Sequence, residues 1–536
     1  MSPAGIAIGV SLTAFRWVSL PTWCNLRPQR RRGSAGKWEG NRVSSVDHRR
    51  APLVEGLRRY HDQGIVSFAT PGHKSGVGMD PELRELLGAA AFASDIALAG
   101  GIDDSHAGGG ILRAAEDLAA AAWGADRTFF LVNGSSAGNH AFLLGTLRPG
   151  DEVVVARDIH KSLLVALILT GAKPIYVAPP LHPELNVGLG VAPSDIAAAL
   201  DAHPAARLVV LVSPSYCGVP SDLSAIAAVA HARGVPVFVD EAWGPHFHFH
   251  PALPPSAMAS GIDGAVASTH KVLGSLTQAS VLHVQGTLVD QGRLATSVGM
   301  LQTTSPAATI LTSIDACRRQ LALDGETLLG RAIALATDAR RRLQALTGIS
   351  VLDRESLGLA SFDTTKLVID VHGLGITGIG AEHLLRERLG LQTEMSDLIS
   401  VVCLVTIGDT AASIERLVAA FTTLSAERGL APTAGLSAAL RSSGAVIAPG
   451  RQALSPRDAF FAPTRAVPLA AAVGEISSEL VIPYPPGIPV LAPGDVISPD
   501  KIAYLIEGAR QGMYLSGPQD PTLQTIRIVA ANPPGA

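Results

Sequence analysis

One lysine stands among hydroxyl-bearing and small residues in Ser268-Thr269-His270-Lys271-Val272-Leu273-Gly274-Ser275-Leu276-Thr277-Gln278. The apolar run before it, residues 264–267, predicts the end of a buried strand. Another apolar run, residues 235–239, ends directly before the carboxylate of Asp240. The pattern therefore predicts that the amine of Lys271 is held near a carboxylate-bearing strand end.

A lysine amine beside a carboxylate suits pyridoxal phosphate (PLP). The amine can form a Schiff base with the PLP aldehyde, and the acid can keep the pyridine nitrogen protonated. Asp240 and Glu241 are adjacent. Because successive side chains of a strand point to opposite faces, only one of these two acids can face the ligand.

Apolar runs alternate with helical patterns on the N-terminal side of this lysine. The predicted strands are residues 128–132, 152–156, 174–177, 208–212 and 235–239, and the predicted helices include residues 162–170 and 223–232. Continuous apolar strands between helices predict an α/β fold with a mainly parallel sheet covered on both faces. Ligands bind such sheets at the carboxyl ends of the strands. The residues expected there are Ser135, His160, Ser213, Asp240 and Lys271.

A small polar turn, Asn133-Gly134-Ser135-Ser136-Ala137-Gly138-Asn139, leads from a predicted strand into a helix. Backbone N–H groups at a helix N-terminus point outward, and the helix dipole adds partial positive charge there. The hydroxyls of Ser135 and Ser136 would add donors, so the turn predicts a phosphate site. Serine N-caps of ordinary helices give a similar pattern, and this alternative stays open.

Composition limits the class of protein. The 536 residues are 47% hydrophobic and carry a net charge of −4, which indicates several globular domains and argues against nucleic acid as the main partner. The four cysteines form no CxxC pair, which favours a cytoplasmic location. No apolar stretch reaches the roughly 18 residues of a membrane helix. His246, His248 and His250 alternate without a matching carboxylate or cysteine, so no metal site is expected.

Short motifs follow one another between residues 60 and 515. They are Thr70-Pro71-Gly72-His73-Lys74, Asn133-Gly134-Ser135, His160-Lys161-Ser162, Val239-Asp240-Glu241-Ala242-Trp243-Gly244, Ser268-Thr269-His270-Lys271, Thr303-Thr304-Ser305-Pro306 and Tyr484-Pro485-Pro486-Gly487-Ile488-Pro489. In this order they resemble the Orn/Lys/Arg decarboxylase family of PLP fold type I. The resemblance implies an aminotransferase-like large domain, a small α+β domain and a C-terminal α+β domain.

The resemblance also implies a reaction, the decarboxylation of lysine, arginine or ornithine to an amine and CO₂, as in polyamine biosynthesis. Lys271 would form the Schiff base, Asp240 would pair with the ring nitrogen, and His160 would stack on the ring. Ala242 would lie against the ring, and Lys271 or His270 would return the proton to Cα. Further cofactor contacts would come from Ser135, Ser136, Ser268, His270 and, from the neighbouring subunit of a homodimer, Thr304.

Substrate choice stays open because the sequence departs from the family pattern. Better-known decarboxylases carry a Thr-Glu pair where this chain has Ala97-Leu98. The distal cation of a basic substrate is costly to bury without a carboxylate. Asp495 is the expected partner, since it occupies an acidic family position beside the proline-rich motif. Asp103 and Asp104, on a glycine-rich loop, are the alternatives.

A second reaction class, an aminotransferase or another PLP-dependent lyase, uses the same cofactor machinery. An arginine that holds the α-carboxylate would favour transamination, and the C-terminal part offers Arg441, Arg451 and Arg465. The predicted domains are a disordered extension (1–46), a PLP-binding major domain (47–325), a small domain (326–430) and a C-terminal decarboxylase domain (431–536). After Lys271, the sequence predicts helices at residues 309–323, 328–346 and 381–389 and strands at residues 366–371 and 401–407.

Overall fold

The computed structural model describes residues 46–98, 102–103, 110–182, 187–428, 450–484 and 487–530. All of them belong to one compact unit, Val46–Ala536. The extension predicted for residues 1–46 lies, except for Val46, outside the described residues.

The central element is a sheet of mainly parallel strands, which confirms the predicted fold class. Its strands are β1 (Arg127–Leu131), β2 (Glu152–Ala156), β3 (Lys173–Val177), β4 (Val209–Val212), β5 (Val237–Asp240), β6 (Gly264–Ala267) and β7 (Ser280–Val284). They lie in the order β1-β7-β6-β5-β4-β2-β3. Only β7 runs opposite to the others in this sheet, because it pairs antiparallel with both β1 and β6.

Helices cover this sheet and continue into the rest of the chain. They are α1 (Pro52–Asp62), α2 (Pro81–Leu87), α3 (Ala89–Ser94), α4 (Ile111–Trp123), α5 (Gly134–Thr146), α6 (Lys161–Thr170), α7 (Pro193–Ala202), α8 (Leu223–His231), α9 (Thr269–Val272), α10 (Gln291–Leu301), α11 (Ala308–Gln344), α12 (Gly378–Leu389), α13 (Ala411–Arg428), α14 (Pro456–Phe461) and α15 (Pro499–Arg510). Short 3₁₀ turns are Phe247–Phe249, His372–Leu374 and Leu469–Ala471. None of the helices in the described ranges is long and apolar enough to cross a bilayer.

Close packing fixes α5 on the sheet. The rings of Phe142 and Phe238 stack with their centroids 4.1 Å apart. Gly264 is required below this pair, because a Cβ atom there would lie 2.0 Å from the Phe142 ring. Gly138 serves the same purpose one turn earlier, since its Cβ would lie 2.5 Å from Val266. The first turn of α5 is therefore held against the carboxyl end of β6.

The long helix α11 differs from the sequence prediction. The sequence predicted two helices, residues 309–323 and 328–346, separated near Gly325, whereas α11 runs without a break through that glycine. Gly325 lies against the side chain of Phe249, where a Cβ atom would come within 3.0 Å. Here glycine allows close packing and does not end the helix. The domain boundary predicted at residue 325 stays a prediction.

Beyond α11 lie a second sheet and two short strand pairs. The strands are β8 (Ser350–Val351), β9 (Lys366–Asp370), β10 (Met395–Ser396), β11 (Ser400–Leu404), β12 (Thr464–Pro468), β13 (Ile482–Pro483), β14 (Leu515–Ser516) and β15 (Thr525–Val529). The second sheet has the order β10-β11-β9-β8, while β12 pairs with β15 and β13 with β14. The predicted strands at 366 and 401 and the helix at 381 are confirmed by β9, β11 and α12. One apolar core lies under the second sheet, and another joins β12–β15 to α15.

Candidate active site

The carboxyl ends of the parallel strands bring the predicted residues to one edge of the central sheet. Ser135 follows β1, His160 follows β2, Asp240 ends β5 and Lys271 follows β6. The antiparallel strand β7 begins at this same edge with Ser280. The chain order of the motifs thus becomes a spatial cluster, as expected for an open parallel sheet.

A chain of hydrogen bonds connects Asp240 with His160. The amide of Asn139 donates to Asp240 Oδ2 and to Ser162 Oγ, each at 2.8 Å. Ser162 Oγ lies 2.8 Å from His160 Nδ1, and the Ser162 backbone N–H also donates to that nitrogen. Ser162 Oγ accepts one N–H of Asn139, so the Ser162 hydroxyl hydrogen is left to donate to His160 Nδ1. Nδ1 of His160 is therefore an acceptor, which places the proton of the neutral ring on Nε2.

Burial sets the protonation of these two groups. Burial lowers the pKa of His160 to about 3, with further lowering from the charges of Lys271 and Lys161, so its imidazole is neutral at physiological pH. Burial raises the pKa of Asp240, while the Asn139 hydrogen bond and the charge of Lys271 act in the opposite direction. The backbone N–H of Ala242 also donates to Asp240 Oδ1, at 3.1 Å. A buried carboxylate with these donors is oriented to receive a cation.

Lys271 lies in the single turn α9, directly after the buried strand β6. Its Nζ is 3.8 Å from the centroid of the Trp243 ring. Burial lowers the pKa of Lys271 to about 8, and the charge of Lys366 lowers it further, while Asp240 raises it. The amine is thus partly uncharged near neutral pH, which a nucleophilic lysine requires.

A second lysine approaches the same tryptophan from the small-domain sheet. Lys366 Nζ lies 4.5 Å from the Trp243 ring centroid and 3.5 Å from Asp363 Oδ2. Asp363 in turn contacts His246 Nε2 at 3.3 Å. His246 therefore belongs to a buried ion-pair group, and no cluster of three metal-ligand side chains occurs within the described residues.

Three serine hydroxyls meet beside the first turn of α5. Ser135 Oγ lies 2.7 Å from Ser268 Oγ, and both lie 3.4 Å from Ser280 Oγ. Asn133, which precedes α5, makes no side-chain hydrogen bond to the helix N-terminus. Ser136 is half-buried in the same turn. Hydroxyl donors and free N–H groups at this helix end form an arrangement that can bind a phosphate.

His270 is held by the loop that leads into β7. Its Nδ1 lies 2.7 Å from the carbonyl oxygen of Ala279, so Nδ1–H donates to that oxygen. Burial lowers the pKa of His270, and Lys271 lowers it further. The neutral ring then leaves Nε2 available for proton transfer.

The structure gives Asp495 a different environment from the one expected. Asp495 is 1% exposed, and its Oδ2 accepts from Arg157 Nη2 and Lys501 Nζ, each at 3.2 Å. Both cations that contact Asp495 belong to the same chain. Arg157 meets Asp495 because the proline-rich motif packs the C-terminal segment onto the loop after β2. The expectation that Asp495 pairs with the substrate cation stays a prediction, and its ion pairs with Arg157 and Lys501 argue against it.

The remaining candidates also have defined places. Asp103 is buried, and its Oδ2 accepts from the backbone N–H of Leu112 at the start of α4, so it caps that helix. Asp104 and Arg441 lie outside the described residues. Arg451 is exposed, and Arg465 pairs with Glu475 at the surface. Thr304 is exposed as well, so a contact from it to a cofactor stays a prediction.

A cavity of about 140 Å³ adjoins this cluster. Asp158, which follows β2, lines it together with Tyr216 and residues of the second sheet and the C-terminal segment. Burial raises the pKa of Asp158 to about 6, while the charge of Arg157 acts against this change. Tyr216 makes an edge-on contact with Trp243, with ring centroids 6.5 Å apart, and Trp243 in turn contacts the Lys271 amine, so two ring contacts connect the cavity to that amine.

Comparison with known proteins agrees with this geometry. The family models named "Orn/Lys/Arg decarboxylase, major domain" and "C-terminal domain" match residues 51–356 and 445–511. An arginine decarboxylase of Halalkalibacterium halodurans is 41% identical over 89% of this chain and 97% of its own length. An arginine decarboxylase of Bacillus subtilis is 40% identical over the same shares of both chains. The lysine decarboxylase LdcF of Francisella novicida has a similar fold, with a TM-score of 0.78 and 21% identity over 90% of this chain and 81% of its own.

The fold and the cluster around Lys271 define an amino-acid decarboxylase of the aminotransferase-like class. The chain belongs to the Orn/Lys/Arg decarboxylase family and decarboxylates a basic amino acid. These matches decide between the two reaction classes left open by the sequence, in favour of decarboxylation and against transamination.

Sequence reasoning assigned no role to several residues of the site. Asn139 and Ser162 were part of recognised motifs, and their position between Asp240 and His160 depends on how α5 and α6 pack. Trp243 also lies in a recognised motif, but nothing in the sequence around it indicated that its ring contacts two lysines. Asp158 could have been suspected, because an acid directly after a buried strand often faces a ligand.

Proposed function

We propose that this chain decarboxylates arginine with bound PLP, releasing CO₂ and the corresponding amine. The observation that carries the proposal is the amine of Lys271, held on Trp243 with its pKa lowered to about 8. The choice of arginine is supported by three arginine decarboxylases that are 39% to 41% identical to this chain over 89% of its length.

The residues at the sheet edge fit the chemical groups of PLP. Asp240 is a buried carboxylate with two hydrogen-bond donors and would pair with the ring nitrogen. Ser135 and Ser136, in the first turn of α5, and Ser268, whose hydroxyl contacts Ser135, would hold the phosphate. When bound, PLP supplies the electron sink that takes up the electron pair left by departing CO₂.

The protein residues then orient the substrate and manage protons. His160 and Ala242 would enclose the cofactor ring from its two faces, and a neutral His160 would leave the positive charge to the ring nitrogen. Asp240 keeps that nitrogen protonated by charge pairing. Lys271 Nζ would return a proton to Cα, and His270 could do so from Nε2 only after that nitrogen has taken up a proton. Trp243 and Tyr216 would exclude water from the reacting carbon, since both are buried.

A homodimer is part of the proposal. The segment between α1 and α2 exposes large apolar side chains, with Phe68 93%, Val66 80% and Val77 78% exposed. Large apolar side chains that are this exposed and close together in the sequence suit a protein interface. The exposed Thr304 would then reach the partner's phosphate. Light scattering should show a dimer or a larger homo-oligomer, and an active monomer would contradict a shared site. A cytoplasmic location stays a prediction from the cysteine pattern.

The reaction is tested by measuring CO₂ release from arginine, lysine, ornithine, alanine and glutamate with purified, PLP-loaded protein. We expect arginine to give the largest kcat/KM. If lysine or ornithine is preferred, the choice of arginine is wrong while the reaction class stands. If only alanine or glutamate is decarboxylated, the whole proposed function is wrong.

A further inference from the structure

We propose that Asp158 is the residue that pairs with the distal cation of the substrate, inside the cavity beside Tyr216. The inference rests on the proposed function, and it assigns the charge selection to a residue that no motif marked. It replaces Asp495, whose Oδ2 already contacts Arg157 and Lys501.

The first support is that Asp158 is buried without a matching charge. Its side chain is 8% exposed, and its Oδ1 has no hydrogen-bond partner. Among the residues that the structure describes, no lysine, arginine or histidine forms an ion pair with it. A buried carboxylate in this condition is costly, so a ligand that supplies a cation would gain more than at an already paired acid.

The adjacent cation does not fill this gap. Arg157 donates to the carbonyl oxygen of Pro489 at 2.8 Å and to Asp495 Oδ2 at 3.2 Å. Its guanidinium is therefore fixed in the contact with the C-terminal segment. Arg157 and Asp158 are neighbours in sequence but serve two different regions.

The second support is the charge of the cavity. Its lining contains the carboxylates of Asp158, Asp370 and Asp397, and no lysine, arginine or histidine is among the described residues that line it. Asp370 already contacts His372 Nδ1 at 2.5 Å, and Asp397 accepts from the backbone N–H groups of Ile399 and Ser400. Of the three acids, Asp158 thus has the fewest partners of its own.

The third support is the shape and polarity of the walls. The cavity holds about 140 Å³, enough for about four or five water molecules at roughly 30 Å³ each. Its apolar walls include Leu352, Val368, Met395 and Val402. Such walls suit the methylene groups of a basic side chain, while the acid at one end suits its cationic group.

The fourth support is the position relative to Lys271. Tyr216 lines the cavity and contacts Trp243 edge-on, and the Lys271 amine lies on that tryptophan. Asp158 is also two residues before His160, which borders the cofactor site. In the proposed arrangement, the side chain of a substrate whose α-amino group is at Lys271 extends past Tyr216 toward Asp158.

The test compares arginine with citrulline, its uncharged isostere, in the PLP-loaded parent and in Asp158→Asn. We expect kcat/KM for arginine to fall roughly ten- to a hundredfold, because a charge-assisted contact is lost. The kinetics with citrulline should change less than about threefold. Asp158→Glu should recover part of the preference for arginine. Asp201→Asn, which removes the same charge from the surface helix α7, is the matched control and should behave as the parent.

Two measurements separate binding from folding and from catalysis. The visible absorption band of bound PLP should persist in Asp158→Asn, since Lys271 and Asp240 are unchanged. Calorimetry with the amine product of arginine should show weaker binding to Asp158→Asn than to the parent. If the parent releases no CO₂ from any basic amino acid, the proposed function fails, and calorimetry still decides on Asp158. Equal product affinity and equal arginine kinetics in the parent and a folded Asp158→Asn would overturn the inference and leave a water molecule as the partner of Oδ1.

Discussion

Two neighbouring residues after β2, Arg157 and Asp158, enter regions with opposite charge balance. Around Arg157, where the C-terminal segment packs, the charged groups already have partners in the same chain. Asp495 Oδ2 contacts both Arg157 and Lys501, and Arg157 also donates to a backbone carbonyl. Around Asp158, the cavity lining described by the structure contains acids and no basic side chain. Both regions are buried, so the difference lies in their partners.

The comparison shows that burial alone does not distinguish a structural acid from a ligand-binding acid. A buried ion pair that is complete holds two parts of a fold together, and breaking it is expensive. A buried acid without a partner lowers stability and is retained where a ligand supplies the missing charge. By this criterion Asp495 belongs to the first kind and Asp158 to the second.

The largest expected effect tests whether the cluster around Lys271, between the two regions, is the active site. Lys271→Ala should lose all measurable CO₂ release and the PLP absorption band near ~420 nm, because the proposed function attaches the cofactor to this lysine. Lys173→Ala, an exposed lysine at the start of β3, is the control and should retain both. Decarboxylation by Lys271→Ala at the parental rate would remove the assignment of the site.

The next effect concerns the complete ion pair. Asp495→Asn should lower the free energy of unfolding by about 3–5 kcal/mol, because it leaves Arg157 and Lys501 buried without their acid. Urea denaturation followed by circular dichroism measures this change, and Asp201→Asn should alter stability by less than about 1 kcal/mol. A stable Asp495→Asn enzyme with a raised KM for arginine alone would return the substrate role to Asp495.

A change of opposite sign is expected at the unpaired acid. Burial raises the pKa of Asp158 from 3.8 to about 6, so the folded protein favours the protonated carboxyl and is penalised once that group ionises. Above pH 6, Asp158→Asn should therefore be more stable than the parent by about 2–3 kcal/mol. The difference should shrink as pH falls from 6 toward 4. An Asp158→Asn variant less stable than the parent at pH 7 would mean that the carboxylate has a stabilising partner.

The smallest effect concerns the hydrogen bonds between Asp240 and His160. Ser162→Ala removes the acceptor of Asn139 and the donor to His160, each a neutral bond worth about 0.5–1.5 kcal/mol. We expect kcat to fall about two- to tenfold while KM for arginine changes little, because the substrate cation lies elsewhere. Ser224→Ala, an exposed serine of α8, serves as control. A change confined to KM would place Ser162 in substrate binding.

Much of the fold could be predicted because its signals are local. The apolar runs gave β2 and β6 with their observed bounds, and the parallel sheet followed from their alternation with helices. The break predicted at Gly325 was wrong, because the contact with Phe249 that explains this glycine joins residues far apart in sequence. Local propensity cannot separate a glycine that ends a helix from one that allows close packing.

The site could be predicted in part for the same reason. Lys271, Asp240, His160 and Ser135 each follow a strand, and strand ends are visible in the sequence. Asp495 and Arg157 are 338 positions apart in the sequence, so no local pattern indicated that they form an ion pair. Lys366 approaches Trp243 from a different sheet, and only the packing of the two sheets reveals that two amines share one ring.

The hydrogen bond from Arg157 to Pro489 joins residues 332 positions apart. During synthesis the ribosome delivers Lys271 long before the segment that packs on His160, where Gly487 brings its backbone against the imidazole. At about 5–20 residues per second, the delay is on the order of 10–40 s. The nascent chain therefore passes through a stage in which Lys271 has been made but the segment that packs on His160 has not. A truncated mRNA that ends before codon 487 yields a chain that lacks this segment.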